Sequence, residues 1–450
     1  MDLIFWVMFS CIAGFLFFAS ITSFREGEFR AALLLIGLLM IFTACTLIPH
    51  LLLDDPSDFR LVFICIVALI FLLFLFPSST SKITQDFQGI NRIHEEEVVL
   101  SRRLLVPRTA SYHDYYKRHP EHKEADDRSR KNPGLLSRDS KFFESLTFNA
   151  AKANFTLCDH LHAYEEPAIS AIRDGADPEN LTTFIAGWLK KSGAAGVGFT
   201  PLKDYHLYSH KGRGPKKGRQ IMKDLPHAIA ITSEMDHAMM KYAPGGPTVM
   251  ESSEQYLHSG ILATRLALMI TNLGYRAKAH IDGNYEVICP LVAADAGMGV
   301  LGRMGLLMTP RHGPRVRISV VTTDIPLEYK KVKRDFSPLA FCETCKKCAR
   351  VCPANAIPDG PMKETGGKKR WKINSEACYN YWTISGTDCG KCMISCPYAH
   401  PDNWFHRFIR WSIKNNLLFR RMAVKLDDVF YGKLPAFRRS QDWLINNRVK

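Results

Sequence analysis

The chain has 450 residues, thirteen cysteines and a formal net charge of +15. That length accommodates two or three domains, and the close spacing of most of the cysteines excludes a secreted disulfide scaffold. The positive charge suits an anionic membrane surface or a phosphate-bearing partner and carries no information on fold.

Three stretches near the amino terminus, Leu3 to Ile21, Ala31 to Pro49 and Leu61 to Phe76, are almost free of charge. The first two match the thickness of a bilayer core and the third is short for it. Asp2 stands where a signal peptide carries basic residues, and no small-residue cleavage site follows. The expectation is three membrane helices over 1–80. Residues 1 to 80 hold three Arg against six Asp/Glu, a net of −3, so the remainder carries +18. Arg25, Arg30, Lys82, Arg92, Arg102 and Arg103 fall on one side of such a bundle. Arg60, among Asp54, Asp55 and Asp58, falls on the other. This bias places the soluble part in the cytoplasm, on an inner-membrane, multi-pass protein.

Residues 81–144 read as a polar connector whose histidines are solvated and show no ligand spacing. From 145 to 335 helices alternate with strands, which predicts an α/β sandwich. "NLTTFIAGWLKKSG" and "SSEQYLHSGILATRLALMITNLG" read as helices closed by glycine, and "AAGVGFTPL", "HAIAITSEM" and "RISVVTTDIPL" as strands. "ADAGMGVLGRMG" places Gly297, Gly299, Gly302 and Gly305 where backbone can approach a flat, bulky cofactor. No preceding strand within a βαβ unit supports a dinucleotide loop there. "SHKGRGPKKGRQ" is a basic loop, equally suited to phosphate or to a solvated turn. "CDHLHAY" (Cys158, His160, His162) and "DYHLYS" (Asp204, His206) look ligand-like, yet both read as structural.

Cys342, Cys345, Cys348 and Cys352 follow C-x2-C-x2-C-x3-C with Pro353 next, the bacterial ferredoxin run. Its partner is Cys389, Cys392 and Cys396 before Pro397, with Cys378 upstream. Crosswise sharing assigns one [4Fe–4S] cluster to Cys342, Cys345, Cys348 and Cys396, and the other to Cys378, Cys389, Cys392 and Cys352. Structural zinc also favours C-x2-C pairs but has no use for two interleaved halves. The region 336–400 is therefore expected to be a ferredoxin-like domain that relays single electrons. The tail 401–450 interleaves aromatics and arginines, and is expected to pack as helix on the core rather than on lipid.

The order of segments from about 185 to 400 resembles the corrinoid- and iron–sulfur-dependent reductive dehalogenases. The resembling segments are "GAAGVGFTPL", "AIAITSEMDHAMMKYAPGGP", "LGYRAKAH", "PLVAADAGMGVLGRMGLLMTPRHGPRVRISVVTTDIPL" and "FCETCKKCARVCPANAI", and loosely "VFYGKLPAF". The resemblance implies a corrinoid (cobalamin-type) held in a nitroreductase-like α/β domain over 145–335, served by two [4Fe–4S] clusters. It implies Tyr256 as proton donor, Arg303 as the cation steadying the phenolate and substrate, and Asn284 as a pocket-lining amide. The four glycines would then border the corrinoid. The expected partners are a small halogenated organic substrate, membrane lipid, and an electron donor (quinol, ferredoxin or a reductase), with no nucleic acid.

The chain departs from the respiratory members of that family. They carry a twin-arginine signal and dock on a separate three-helix anchor, whereas here the apolar segments are fused in front, with Glu26-Gly-Glu28 similar to that anchor's Glu-x-Glu loop. Two other readings remain. One is an epoxyqueuosine reductase-like tRNA enzyme, although that family uses an aspartate where Val287 stands here. The other is a membrane electron-transfer protein without catalysis, which leaves 145–335 unexplained.

Overall fold

The computed structural model describes residues 2–75, 83–175, 177–329 and 334–433. They fall into two compact units, one from Met1–Lys82 with Pro401–Ala436, the other holding Ile83–His400.

In the first unit, α1 (Asp2–Arg25) and α2 (Phe29–Leu52) each run 24 residues, about 36 Å at the helical rise and enough to cross a core of about 30 Å. Both are apolar around their circumference, and their large side chains face outward, Leu33 at 69% and Leu51 at 79% exposed. No polar face is left to turn to water. The third segment forms α3 (Ser57–Leu75), but Asp58 and Arg60 occupy its first turn. The apolar run from Leu61 to Leu75 spans only about 22 Å, and Phe76, its expected end, lies outside the described residues. Among the described residues two helices, not the expected three, are long and apolar enough to cross a membrane.

The stretch expected to be a solvated connector is folded from residue 83 onward. It forms α4 (Val99–Arg103), α5 (Ala110–Arg118) and α6 (Pro120–Arg130). Thr109 caps α5 by accepting from Tyr112 N–H, and Pro120 opens α6. Apolar periodicity is weak here because charge pairing replaces it. Buried Arg102 donates through Nε to Asp126 Oδ2 at 2.9 Å and through a terminal nitrogen to Glu376 at 2.9 Å. Tyr116 O–H donates to the same Asp126 carboxylate. The histidines are ordered too: Tyr115, His119 and His122 stack, and Tyr115 Oη lies 2.8 Å from His122 Nδ1.

After α7 (Ser145–His160) and α8 (Pro178–Lys191) come β1 (Gly196–Pro201), β2 (His227–Glu234), the short α9 (His237–Met240) and the long α10 (Gly246–Asn272). Then follow β3 (Ala277–His280), α11 (Cys289–Asp295), the hairpin β4 (Val300–Leu301) and β5 (Leu307–Met308), and β6 (Val316–Thr323). Strands β1, β2, β6 and β3 form one sheet in that order, every pair antiparallel. Alternation along β2 covers both faces. Ile229 and Ile231 meet Leu262, Leu266 and Ile270 of α10, while Ala228 and Ala230 meet Val292 and Ala293 of α11. This is the α/β sandwich predicted, with α10 opening earlier than expected because Pro247 sits in its first turn, where its missing N–H costs nothing.

The cysteine-bearing part consists of α12 (Ser337–Cys345), α13 (Lys347–Arg350), the hairpin β7 (Lys363–Thr365) and β8 (Lys368–Arg370), α14 (Ser375–Ser385) and α15 (Lys391–Ile394). The tail forms α16 (Trp404–Asn415) and α17 (Leu417–Tyr431). Contrary to the expectation that it packs on the core, it groups with the apolar helices of the first unit. Asn403 and His406 reach the carboxylate of Glu26, and residues after 433, including the end of "VFYGKLPAF", lie outside the described residues.

Arg102 ties α6 to α14, the helix that carries Cys378. Arg102→Met should therefore leave Asp126 buried without its cation and destabilise the second unit by about 3–5 kcal/mol. Hydrogen exchange should speed up in α6 and α14 together, and exchange confined to α6 would contradict the coupling.

Candidate functional site

Cys342 and Cys345 project from α12, and Cys348 from α13, after a left-handed Lys346 (φ 55). Cys352 follows a one-residue cap. The second half repeats the device: Cys378 lies on α14, and left-handed Cys389 (φ 62) and Gly390 (φ 71) lead into α15 with Cys392. Gly390 is required on two counts, since a Cβ there would also stand 2.8 Å from Thr248 Cγ2. The sulfurs of the two halves lie close enough to feel one another's charge. Cys396 feels Cys342, Cys345 and Cys348. Cys392 feels Cys389, Cys378 and Cys352, with Cys348 of the other set nearby.

Burial raises the thiol of Cys378 to about 11 and those of Cys348 and Cys389 to about 12, so thiolates at these three persist only against a bound cationic centre. Four thiolates around one zinc ion lie about 3.8 Å apart. Among the described residues the single trio of ligand atoms within 4.8 Å is His119, Glu121 and His122, with no cysteine in it. Among the described residues, then, no three cysteine sulfurs are close enough to share one zinc ion.

Tyr256 stands midway along α10. Arg317 of β6 lies with its guanidinium carbon 4.4 Å from the Tyr256 ring centroid and donates to Ser252 Oγ and, at 2.5 Å, to Asp388 Oδ2. Burial pushes the Tyr256 phenol up to about 12, while Arg317 pulls it down and Asp282 and Asp388 push with the burial. Tyr256 nevertheless keeps some accessible surface, because it borders a cavity. That cavity, about 290 Å³, is lined by Tyr256, Arg317 and Asp388 together with Cys352, Cys378, Cys389 and Cys392. That volume sits at the lower end of the range of small-ligand sites. Arg317 Nε and Asp388 Oδ1 are both buried on this wall without a hydrogen-bond partner. Orphaned polar atoms of this kind mark a place where a polar group binds.

The other predicted residues lie elsewhere. Arg303 is 1% exposed and directs its donors to backbone: Nε and a terminal nitrogen to Cys342 O, the other to Pro358 O and Gly360 O. Its guanidinium stacks on Trp371, 4.4 Å from the centroid. It braces the first cysteine set and is not brought to Tyr256. Asn284 accepts from Lys211 Nζ at 2.6 Å and donates to Glu165. The group of that loop coupled to Tyr256 and Arg317 is Asp282, whose carboxyl burial raises against the pull of Arg213 and Arg317.

The glycines meet their own chain. A Cβ at Gly299 would stand 2.3 Å from Met308 O, and one at Gly302 would stand 2.7 Å from Met308 Cγ; Gly297 and Gly305 have φ of 78 and 75. Helix α11 precedes them, not a strand. The basic loop is neutralised, with Arg213 on Glu95, Lys216 on Glu166, Lys217 on Glu96 and Arg219 on Glu286. His206 is fully buried against Asp295. His162 pairs with Glu165, and Cys158 lies in the core beside α10.

Arg317, Asp282 and Asp388 were not singled out from sequence. The available signal was a lone arginine in the apolar strand "VRISVV" and an acid directly before Cys389.

A model of the 4Fe-4S dicluster domain matches residues 341–400. Tetrachloroethene reductive dehalogenase of Sulfurospirillum multivorans is 30% identical over 309 residues, 61% of either chain. The enzyme of that name from Desulfitobacterium hafniense is 31% identical over 235 residues, 49% of this chain and 42% of its own. Epoxyqueuosine reductase of Listeria monocytogenes is 28% identical over 213 residues, 40% of this chain and 52% of its own. Among solved structures, the catabolic reductive dehalogenase NpRdhA in complex with 3-bromo-4-hydroxybenzoic acid superposes with a TM-score of 0.64 at 21% identity. That match covers 80% of this chain and 50% of that one. The chain thus spans 61% or less of the length of these dehalogenases. The chain is therefore similar in sequence to reductive dehalogenases over part of their length, shares the fold of NpRdhA and carries a 4Fe-4S dicluster domain.

Proposed function

We propose that this chain is a membrane-anchored, corrinoid-dependent reductive dehalogenase that replaces a carbon–halogen bond of a small organohalide by carbon–hydrogen. The observation that carries the reading is the shared cavity, where Tyr256 and Arg317 face the cysteines of the second cluster set. The net reaction takes two electrons and one proton and releases halide. A bound corrinoid supplies low-valent cobalt for the bond cleavage, and two [4Fe–4S] clusters supply single electrons at low potential.

The chain's residues supply the rest. Met304, Leu306 and Trp382 give the cavity an apolar wall that excludes water. The orphaned atoms of Arg317 and Asp388 would hold a polar group of the cofactor or the substrate. Tyr256 holds its proton on Oη through the neutral range and delivers it to the carbon centre. The phenolate so formed lies beside the Arg317 guanidinium, which limits its cost and favours release of the proton late in the reaction. Arg317 thereby takes the part that the resemblance implies for Arg303, and Asp282 stands where Asn284 was expected. Helices α1 and α2 provide the anchor, with the second unit on the cytoplasmic side and a quinol, ferredoxin or reductase as electron source. A tRNA substrate is disfavoured because the basic loop already pairs with acidic side chains.

The test is the composition and activity of detergent-purified protein made in cells supplied with cobalamin. About one cobalt and eight iron per chain are expected, and iron without cobalt after reconstitution would overturn the reading. Tyr256→Phe should keep both contents and lower dehalogenation of a haloarene or chloroethene by about 10²- to 10⁴-fold. With its phenol raised to about 12, Tyr256 should impose no alkaline loss on kcat/KM below about pH 10. An alkaline limb near pH 8 assigned to a phenol would contradict that role. Cys396→Ala should remove the first cluster and Cys352→Ala the second, as separate losses of about four iron, which checks the crosswise assignment by iron count and electron paramagnetic resonance.

A further inference from the structure

The two helices that end the described chain carry a surface that the catalytic reading does not use. On α16, Trp404, Phe408 and Trp411 are exposed at 46%, 41% and 49%; on α17, Met422, Leu426 and Val429 are exposed at 45%, 37% and 50%. Each trio follows the spacing i, i+4, i+7, so each occupies one helical face. The opposite faces are buried, with His406 and Ile413 on α16 and Arg420 and Val424 on α17. A contiguous apolar face of this size on two amphipathic helices calls for an occupant.

Its neighbours indicate which. The contacts with the apolar helices run from the turn after α1 and the end of α3 inward to the middle of α1. Phe15, in the second half of α1, meets Trp404 and Phe408 edge-on with centroids 5.6 Å away in both cases. Glu26, in the turn after α1, accepts from Asn403 and lies 3.1 Å from His406 Nε2. Asn416 donates to Leu73 O, in the last turn of α3, at 2.7 Å. Glu26 and Leu73 set the pair at one end of the bundle, and Phe15, about 15 Å short of the end of α1, shows that Trp404 and Phe408 reach inward from that end along an apolar helix.

Charge points the same way. Arg421 and Lys425 are exposed one residue before Met422 and Leu426, so cations flank the apolar face of α17. Arg407 and Arg410 both pair with Asp402, which tethers the start of α16 locally. Aromatics and aliphatics on one face with cations beside them are the pattern of a helix lying in the plane of an anionic leaflet.

We infer that α16 and α17 form an in-plane lipid contact, seated among the headgroups of an anionic bilayer beside the anchor helices; this rests on the membrane reading of α1 and α2. The face is assigned to lipid rather than to a partner protein because the helices that α16 touches are apolar around their circumference and cations border it on α17.

The experiment reconstitutes the full chain into vesicles of phosphatidylglycerol and phosphatidylcholine doped with a phosphatidylglycerol bearing a diazirine near the headgroup end of one acyl chain. Labelled residues are then mapped by mass spectrometry. Labelling is expected on α1 and α2, and on Trp404, Phe408, Trp411, Met422, Leu426 and Val429 well above the buried faces of the same helices. Arg421→Glu with Lys425→Glu should lower labelling of α17 several-fold and leave α1 unchanged. Labelled spans with an unlabelled α16–α17 face would overturn the inference and leave the anchor standing. Unlabelled spans would overturn the anchor, and this inference with it. Equal labelling of α17 in pure phosphatidylcholine would overturn the anionic preference.

Discussion

One buried guanidinium, that of Arg317, joins the three parts from which the site is assembled. It rises from β6, lies over the Tyr256 ring of α10, donates to Ser252 one turn earlier on that helix, and pairs with Asp388 immediately before Cys389. Sheet, helix and cluster loop thus share one charged group. Such a pair is costly to desolvate and gains little over a well-packed apolar pair of the same volume. Its value lies in direction. A single terminal nitrogen of the guanidinium serves both Ser252 and Asp388, so the loop that starts the second cysteine half is tied to the helix that carries the tyrosine. Loss of either partner leaves the other charged, buried and alone.

Two further arginines work in the same manner without a substrate-facing role. Arg303 and Arg315 are among the largest fully buried side chains, and both direct donors to backbone carbonyls of the cysteine-bearing region. Arg303 reaches Cys342 O, while Arg315 reaches Ala399 O and Met235 O. A loop region rich in turns leaves many carbonyls without ladder partners, and a five-donor side chain satisfies several at once. The cluster loops are therefore held by cations from β6 and from the hairpin of β4 and β5, in addition to whatever the metal centres contribute.

The parts of this molecule that were legible in its sequence are those governed by local pattern. The cysteine spacing, the strands "HAIAITSEM" and "RISVVTTDIPL", the long helix and the two longer apolar segments each depend on neighbours within a few residues. What was missed depends on distant partners. The connector looked unstructured because its order comes from Arg102, Asp126 and Glu376, the last of which lies hundreds of residues away in the chain. Arg303 and Arg317 are equally plausible as active-site cations from composition, and only tertiary placement separates them. The glycine-rich hairpin suggested a ligand, yet the crowding at Gly299 and Gly302 comes from Met308, a few residues further along. The tail was assigned to the wrong neighbour because amphipathicity states that a helix has a buried face and not what buries it.

That last feature bears on how the molecule is made. The first unit is discontinuous: its opening helices are synthesised first, and α16 and α17, which complete it, only after residues 83–400. While the ribosome works through the intervening residues, Glu26 lacks Asn403 and His406, and Phe15 lacks its aromatic partners from α16. The opening helices must hold together on their own contacts in that interval, for about 15–65 s at ordinary elongation rates. Chaperoning of a half-built bundle, rather than folding of the soluble unit, is then the stage at which this architecture is most exposed to misassembly.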